Sequence, residues 1–122
     1  MNKLTRKEEE VMKILWKIKK GFVKEIIEEY PDPKPHYNTI SSLVRLLEEK
    51  GFIDHKAFGN THQYFPAVSK QEYRKSFIKD VVKDYFDNSY KQTVSLFIEE
   101  QDLSKDDLDE LIHLINSKKE EK

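Results

Sequence analysis

YNTISSLVRLLEEKG at residues 37–51, followed directly by FIDHKAFGNTHQYF at residues 52–65, is the stretch whose reading decides the fold. On a helix, Ile40, Leu43, Val44 and Leu47 fall at i, i+3, i+4 and i+7, one apolar stripe that a core must cover. The opposite face carries Asn38, Ser42, Arg45 and Glu49, flanked by Thr39 and Ser41. Short amide and hydroxyl groups with one arginine suit the edges of bases in a DNA major groove, with Arg45 the strongest reader. A merely solvated face more often carries lysine and glutamate. Tyr37 and Thr39, at the helix N-terminus, are expected to meet phosphates. The second segment reads as two strands, residues 52–58 and 61–65, joined across Gly59-Asn60 in a two-residue hairpin turn. Counting back from the turn sets Phe58 opposite Thr61, Ala57 opposite His62, Lys56 opposite Gln63 and His55 opposite Tyr64. The tip then offers Lys56, Asn60, Thr61 and Gln63 to phosphate oxygens.

Two helices precede this pair. Thr5-Arg6-Lys7-Glu8 is a capping box, and Val11, Ile14, Leu15 and Ile18 form a stripe behind it, with Gly21 the expected C′ residue. Val23, Ile26, Ile27 and Tyr30 mark a shorter helix, stopped by Pro31-Asp32-Pro33-Lys34-Pro35. Helix, helix, reading helix and hairpin, in that order, predict a mainly α fold. Residues 1–66 are expected to form a winged helix-turn-helix domain, three helices plus a β-hairpin wing.

Residues 67–122 read as three further helices. Ser69-Lys70-Gln71-Glu72 caps the first, with Val68 and Tyr73 as its hydrophobic staple. This helix carries Tyr73, Phe77, Ile78, Val81, Val82, Tyr85 and Phe86, more than one stripe. A helix near residues 90–100 holds Val94, Leu96, Phe97 and Ile98, and Ser104 to Asp107 caps a last one with Leu103 and Leu108 as staple. Its stripe is Leu108, Leu111, Ile112 and Ile115. Three short helices cannot enclose a core of useful size alone. A second copy is the expected cover, so the region is read as a dimerisation domain. Tyr73, Phe77, Val81, Tyr85, Phe97, Leu108, Leu111, Ile112 and Ile115 are its expected homodimer interface.

Composition narrows the functional classes. The absence of cysteine excludes disulfides, thiolate metal sites and cysteine nucleophiles. No apolar run approaches the roughly 20 residues of a membrane span and no signal-peptide core opens the chain, so a cytoplasmic protein without membrane insertion is expected. Residues 1–66 hold 12 Lys and Arg against 10 Asp and Glu, and residues 67–122 hold 10 against 13. The reading half is therefore the mildly basic one. Glu48 and Glu49 would repel phosphate, so the C-terminal end of the reading helix is expected to turn away from a duplex. His55 and His62 are only diagonal neighbours in the hairpin, with no carboxylate or third histidine evidently placed beside them. No metal or cofactor is expected. There is no Gly-rich phosphate loop or nucleophile elbow, and an enzyme is not expected. The competing reading is a protein-interaction module without sequence-specific DNA binding, whose wing would expose apolar residues.

LTRKEEEVMKILW (4–16), VKEIIEEY (23–30), NTISSLVRLLEEKGFI (38–53), HKAFGNTHQYF (55–65) and SLFIEEQDLSKDDLDELIHLI (95–115) together resemble the penicillinase repressor family. The resemblance covers nearly the whole chain. It implies a homodimer that binds a palindromic double-stranded DNA operator through the third helix and is held together by its C-terminal helices. It also implies a membrane-bound metalloprotease sensor, whose action leads to cleavage in the fifth helix, at the position of Leu96-Phe97. The family has Asn before that Phe, and this chain has Leu. A copper-responsive branch binds metal through C-terminal cysteines, which this chain lacks. Family members often carry a basic residue at the position of Leu46, whereas here the basic residue is Arg45.

Overall fold

Thr5 begins the first helix as its sequence requires. Its Oγ1 accepts the Glu8 amide at 3.2 Å while Glu8 Oε1 accepts the Thr5 amide at 2.8 Å, satisfying two amides that a helix start leaves open. The structure, a computed structural model, describes residues 3–100 and 104–120, the side chains of 111, 114, 115 and 118–120 excepted. Helix α1 runs Arg6–Ile18, α2 Val23–Glu28 and α3 Tyr37–Glu49. Strands β1 (Ile53–Phe58) and β2 (Thr61–Pro66) follow, then α4 (Lys70–Phe86), α5 (Tyr90–Glu99) and α6 (Lys105–Glu120). Two compact units result, Met1–Phe77 and Ile78–Lys122.

The core of the first unit is the meeting of the three stripes. Val11, Met12 and Leu15 from α1, Val23 and Ile26 from α2, and Ile40, Val44 and Leu47 from α3 are buried together, closed below by Phe52, Ile53 and Tyr64. Each large side chain removed from water contributes about 1.5–3 kcal/mol. That burial, not helix propensity, holds an α2 of six residues. Lys34 caps the open end of α2, its ammonium donating to the Glu28 and Tyr30 carbonyls at 3.1 and 2.6 Å. At the other end of α3, Lys50 Nζ meets Glu8 Oε1 at 2.8 Å and so ties α3 to α1. Glu8 is 1% exposed. Burial alone would raise its pKa, but the hydrogen bonds from Lys50 and Thr5 outweigh that and hold the carboxyl below the usual glutamate range.

Gly21 is not the cap of α1. The helix ends at Ile18, and Lys19 takes the positive φ of 77° while its amide bonds the Leu15 carbonyl. Gly21 instead pairs with Tyr64, each amide donating to the other's carbonyl at 2.9 Å, which adds a single bridge to the wing. A Cβ here would meet Ile18 Cδ1 at 2.8 Å, so close approach of backbone explains the glycine. Gly51, by contrast, closes α3 at φ 84° as expected. The hairpin register is the one counted from the turn: Phe58 with Thr61, Ala57 with His62, Lys56 with Gln63, His55 with Tyr64.

Tyr73, expected at a dimer interface, is built into the first unit. Its ring lies 5.6 Å from Trp16 and 5.9 Å from Phe52, and its hydroxyl donates to Glu9 Oε2 at 2.9 Å. The chain just before it is pinned, because Trp16 Nε1 donates to the Val68 carbonyl at 2.9 Å. Burial and the bond to Glu9 push the Tyr73 phenol up to about 12.

The second unit is made of capped helices, and among its described residues few side chains are buried. Asp87 and Asn88 take positive φ, Ser89 Oγ accepts the Gln92 amide at the start of α5, and Ser104 and Asp107 make the expected reciprocal bonds at the start of α6. Val82 is buried and Val81 and Leu108 are half-buried, whereas Tyr85, Val94, Leu96, Phe97, Ile98 and Ile112 are exposed. Leu103 lies outside the described residues, as do the side chains of Leu111 and Ile115.

Candidate nucleic-acid interface

Burying Ile40, Val44 and Leu47 turns the polar side of α3 outward and divides it in two. Tyr37, Ser41, Arg45 and Glu48, about one turn apart, line a groove of about 710 Å3. The wing residues His55, Asn60, Thr61, His62 and Tyr64 form the facing wall, and Phe22 to Glu25 at the start of α2 form the end. Asn38, Thr39 and Ser42 stand outside this groove on the exposed side of the helix. The expected readers therefore form two sets: Tyr37, Ser41 and Arg45 facing the wing, and Asn38, Thr39 and Ser42 facing away from the core. Arg45 Nη2 donates to Ser41 Oγ at 2.9 Å, one turn back along the helix, so its guanidinium is held over the helix surface with donors to spare.

The tip residues of the wing do not all line this groove. Asn60 and Thr61 sit at the groove, and Thr61 Oγ1 closes the turn by donating to the Phe58 carbonyl at 2.9 Å. Lys56 and Gln63 stand opposite each other in the register and outside the groove lining, and Lys56 Nζ lies 5.4 Å from the centre of the Phe58 ring, two residues on along the same face. Two of the four tip residues thus line the groove and two do not. Phe58 itself is 45% exposed and packs edge-on to Phe22 at 5.7 Å, an apolar element at the wing that polar counting passes over. Leu46 is a second one, 46% exposed on α3. It lies off the apolar stripe, which is the signal that marks it in the sequence, and an exposed aliphatic group suits a thymine methyl.

One expectation about this surface is corrected. Glu48 lines the groove and its Oε1 lies 2.5 Å from His55 Nδ1. The histidines do have carboxylates beside them, because Asp54 and Glu48 both approach His55. The His55 and His62 rings stack at 4.0 Å with planes 7° apart. Glu48 belongs to a different element from the histidines, so only the packing of α3 on β1 reveals this meeting. Tyr64, deep in the same wall, has its phenol pushed up by burial first and then by the charge on Glu48.

Comparison with known proteins adds an independent line. The penicillinase repressor family profile matches residues 4–117. The methicillin resistance regulatory protein MecI of Staphylococcus aureus (strain N315) is 33% identical over 110 residues, 89% of either chain. The penicillinase repressor of Bacillus licheniformis is 25% identical over 118 residues, covering 93% of this chain and 89% of its own. Among solved structures, the DNA binding domain of the repressor BlaI superposes with a TM-score of 0.51 at 28% identity, over 60% of this chain and 94% of that one.

Proposed function

This chain belongs to the penicillinase repressor family, and from that premise we propose that it is a homodimeric transcriptional repressor reading a palindromic DNA operator, not an enzyme. The observation that carries the reading is the exposed polar surface of α3 set beside the wing, with Arg45 poised on Ser41. α3 enters the major groove. Arg45 pairs with a guanine edge, Asn38 and Ser42 read neighbouring bases, and Tyr37, Thr39 and Ser41 bond phosphates. Asn60 and Thr61 grip the backbone where the wing borders the groove, and Lys56 and Gln63 beside them outside it.

Residues 1–66 are assigned to reading, and the dimer surface to the helices within 67–122. Phe77, Tyr85, Phe97 and Ile112, all exposed in one chain, support that surface, along with half-buried Val81 and Leu108. Leu111 and Ile115 are assigned to it on their spacing, and Tyr73 is not, because its ring packs against the first unit's core. A two-fold dimer sets two copies of α3 one helical turn, or a multiple, apart along the duplex, so both half-sites are bound as one unit. Relief of repression follows from cutting at Leu96-Phe97 by a membrane-bound metalloprotease sensor, as the family resemblance implies. Both residues are exposed on α5. Losing that helix weakens the dimer, and a single half-site contact competes poorly with nonspecific DNA. Such a protein works in the cytoplasm, and no helix among the described residues is long and apolar enough to cross a membrane.

The test is binding to the protein's own upstream DNA across a salt series, beside a scrambled duplex. Selective binding that falls steeply with salt is expected. Arg45→Ala is expected to lose about 1–3 kcal/mol of discrimination while the dimer stays intact. An Arg45→Ala protein with unchanged operator preference removes that residue from the reading role. A wild-type chain with no preference at low salt overturns the proposal in favour of a protein-interaction module.

A further inference from the structure

Where α3 gives way to the wing, the acidic end of the helix meets the first turn of the ribbon. Oε1 of Glu48 lies 2.5 Å from Nδ1 of His55, and Asp54 Oδ1 accepts the His55 amide at 2.8 Å. The ligand-capable atoms of Glu48, Asp54 and His55 all lie within 4.8 Å of one another. The parallel His62 ring, 4.0 Å away, covers one face of His55 and restricts its rotation. Among the described residues, no lysine or arginine forms an ion pair with Glu48 or Asp54. The nearest cation along α3, Arg45, is bonded to Ser41.

We propose that Glu48, Asp54 and His55 form a binding site for a divalent transition-metal ion of the zinc class, and that its occupancy tightens DNA binding. One imidazole nitrogen with two carboxylate oxygens is a borderline donor set that suits Zn2+ and its first-row neighbours, with water completing the shell. The ion sits where Glu48 Oε1 and His55 Nδ1 now meet, and each ligand binds it through a lone pair. The site opens onto the groove that Arg45, Asn60 and Thr61 line. Of the three ligands, Glu48 and His55 line that groove, where the Glu48 carboxylate repels incoming phosphates and a divalent ion cancels its charge. By linkage, DNA then raises metal affinity by the same factor that metal raises DNA affinity. The second half of this proposal rests on the DNA-reading assignment. The site itself does not.

The full chain without DNA is titrated with ZnCl2 alone, following bound metal by equilibrium dialysis and the midpoint of thermal unfolding. One ion per chain and a rise in the midpoint are expected. His55→Ala and Asp54→Asn are each expected to weaken binding at least about tenfold, as lost ligands do. Asp54 is exposed, so its conservative variant tests the site even if His55→Ala folds poorly. Absence of zinc binding, or wild-type binding by both variants, overturns the site. Affinity for the upstream duplex is then compared with zinc and with EDTA. A several-fold tightening by zinc that Asp54→Asn abolishes upholds the coupling. Zinc binding with unchanged DNA affinity overturns the coupling and leaves the site standing. Zinc binding without any selective DNA binding upholds the site and overturns the reading assignment.

Discussion

In the first unit, Val11, Met12, Leu15, Ile26, Ile40, Val44 and Leu47 are closed within one cluster, whereas in the second Val82 is buried and Tyr85, Phe97, Ile98 and Ile112 face solvent. Both halves carry the same periodicities, and both form capped helices. The difference is what the stripes meet. Three stripes and a hairpin converge in the first unit and satisfy one another. The second has similar stripes with fewer buried side chains among its described residues. A helix whose large side chains stay wet forgoes about 1.5–3 kcal/mol for each of them. The first unit thus holds its surface still by its own packing, and the proposed dimer and cleavage site fall in the region whose large side chains stay exposed in one chain.

The contrast can be broken most directly in the core. Leu47→Ala is expected to cost about 2–5 kcal/mol in urea unfolding, independent of protein concentration. A loss below about 1 kcal/mol means α3 is held by something other than the cluster. Tyr85, 77% exposed, gives the matching test in the second unit. Tyr85→Asp is expected to leave the unfolding of a dilute sample nearly unchanged while weakening the dimer at least about tenfold, or about 1.4 kcal/mol, by sedimentation. A monomeric wild-type chain at working concentration erases the contrast altogether.

Glu8→Gln sharpens the account of the first unit. It removes a buried charge-assisted bond to Lys50 and is expected to cost about 1–3 kcal/mol at neutral pH. The folded pKa of Glu8 lies below the ordinary 4.5, so its contribution is present above that pH and is lost as the pH falls through the folded value. Thermal midpoints of wild type and variant are therefore expected to converge on acidification. A constant gap down to low pH would assign the effect to packing. Smallest of all, Lys56→Ala on the wing outside the groove is expected to weaken all DNA about equally and to reduce the slope of log affinity against log salt by about 1. Loss of selectivity in this variant would move Lys56 among the base readers.

Local chemistry was open to inspection in the sequence because each such signal lies within a few residues. The capping boxes at Thr5, Ser69 and Ser104, the Gly51 stop, the hairpin register and the outward position of Arg45 all depend on neighbours in the chain and on periods of 3.6 and 2. Gly21 misleads for the opposite reason: it sits where a helix cap belongs, but its absent side chain answers to Ile18 and its pairing to Tyr64. Tyr73 likewise carries the spacing of a free helix face and is claimed by Trp16, Phe52 and Glu9. The division of the reading surface into a groove set and an outer set, and the meeting of Glu48 with Asp54 and His55, belong to the same class. Sequence alone therefore determined which elements form, where they start and stop, and which faces are apolar. Tertiary structure alone decided which side chains meet across elements, because such contacts depend on how stripes of different helices and strands pack, and no spacing along the chain encodes a distance between them.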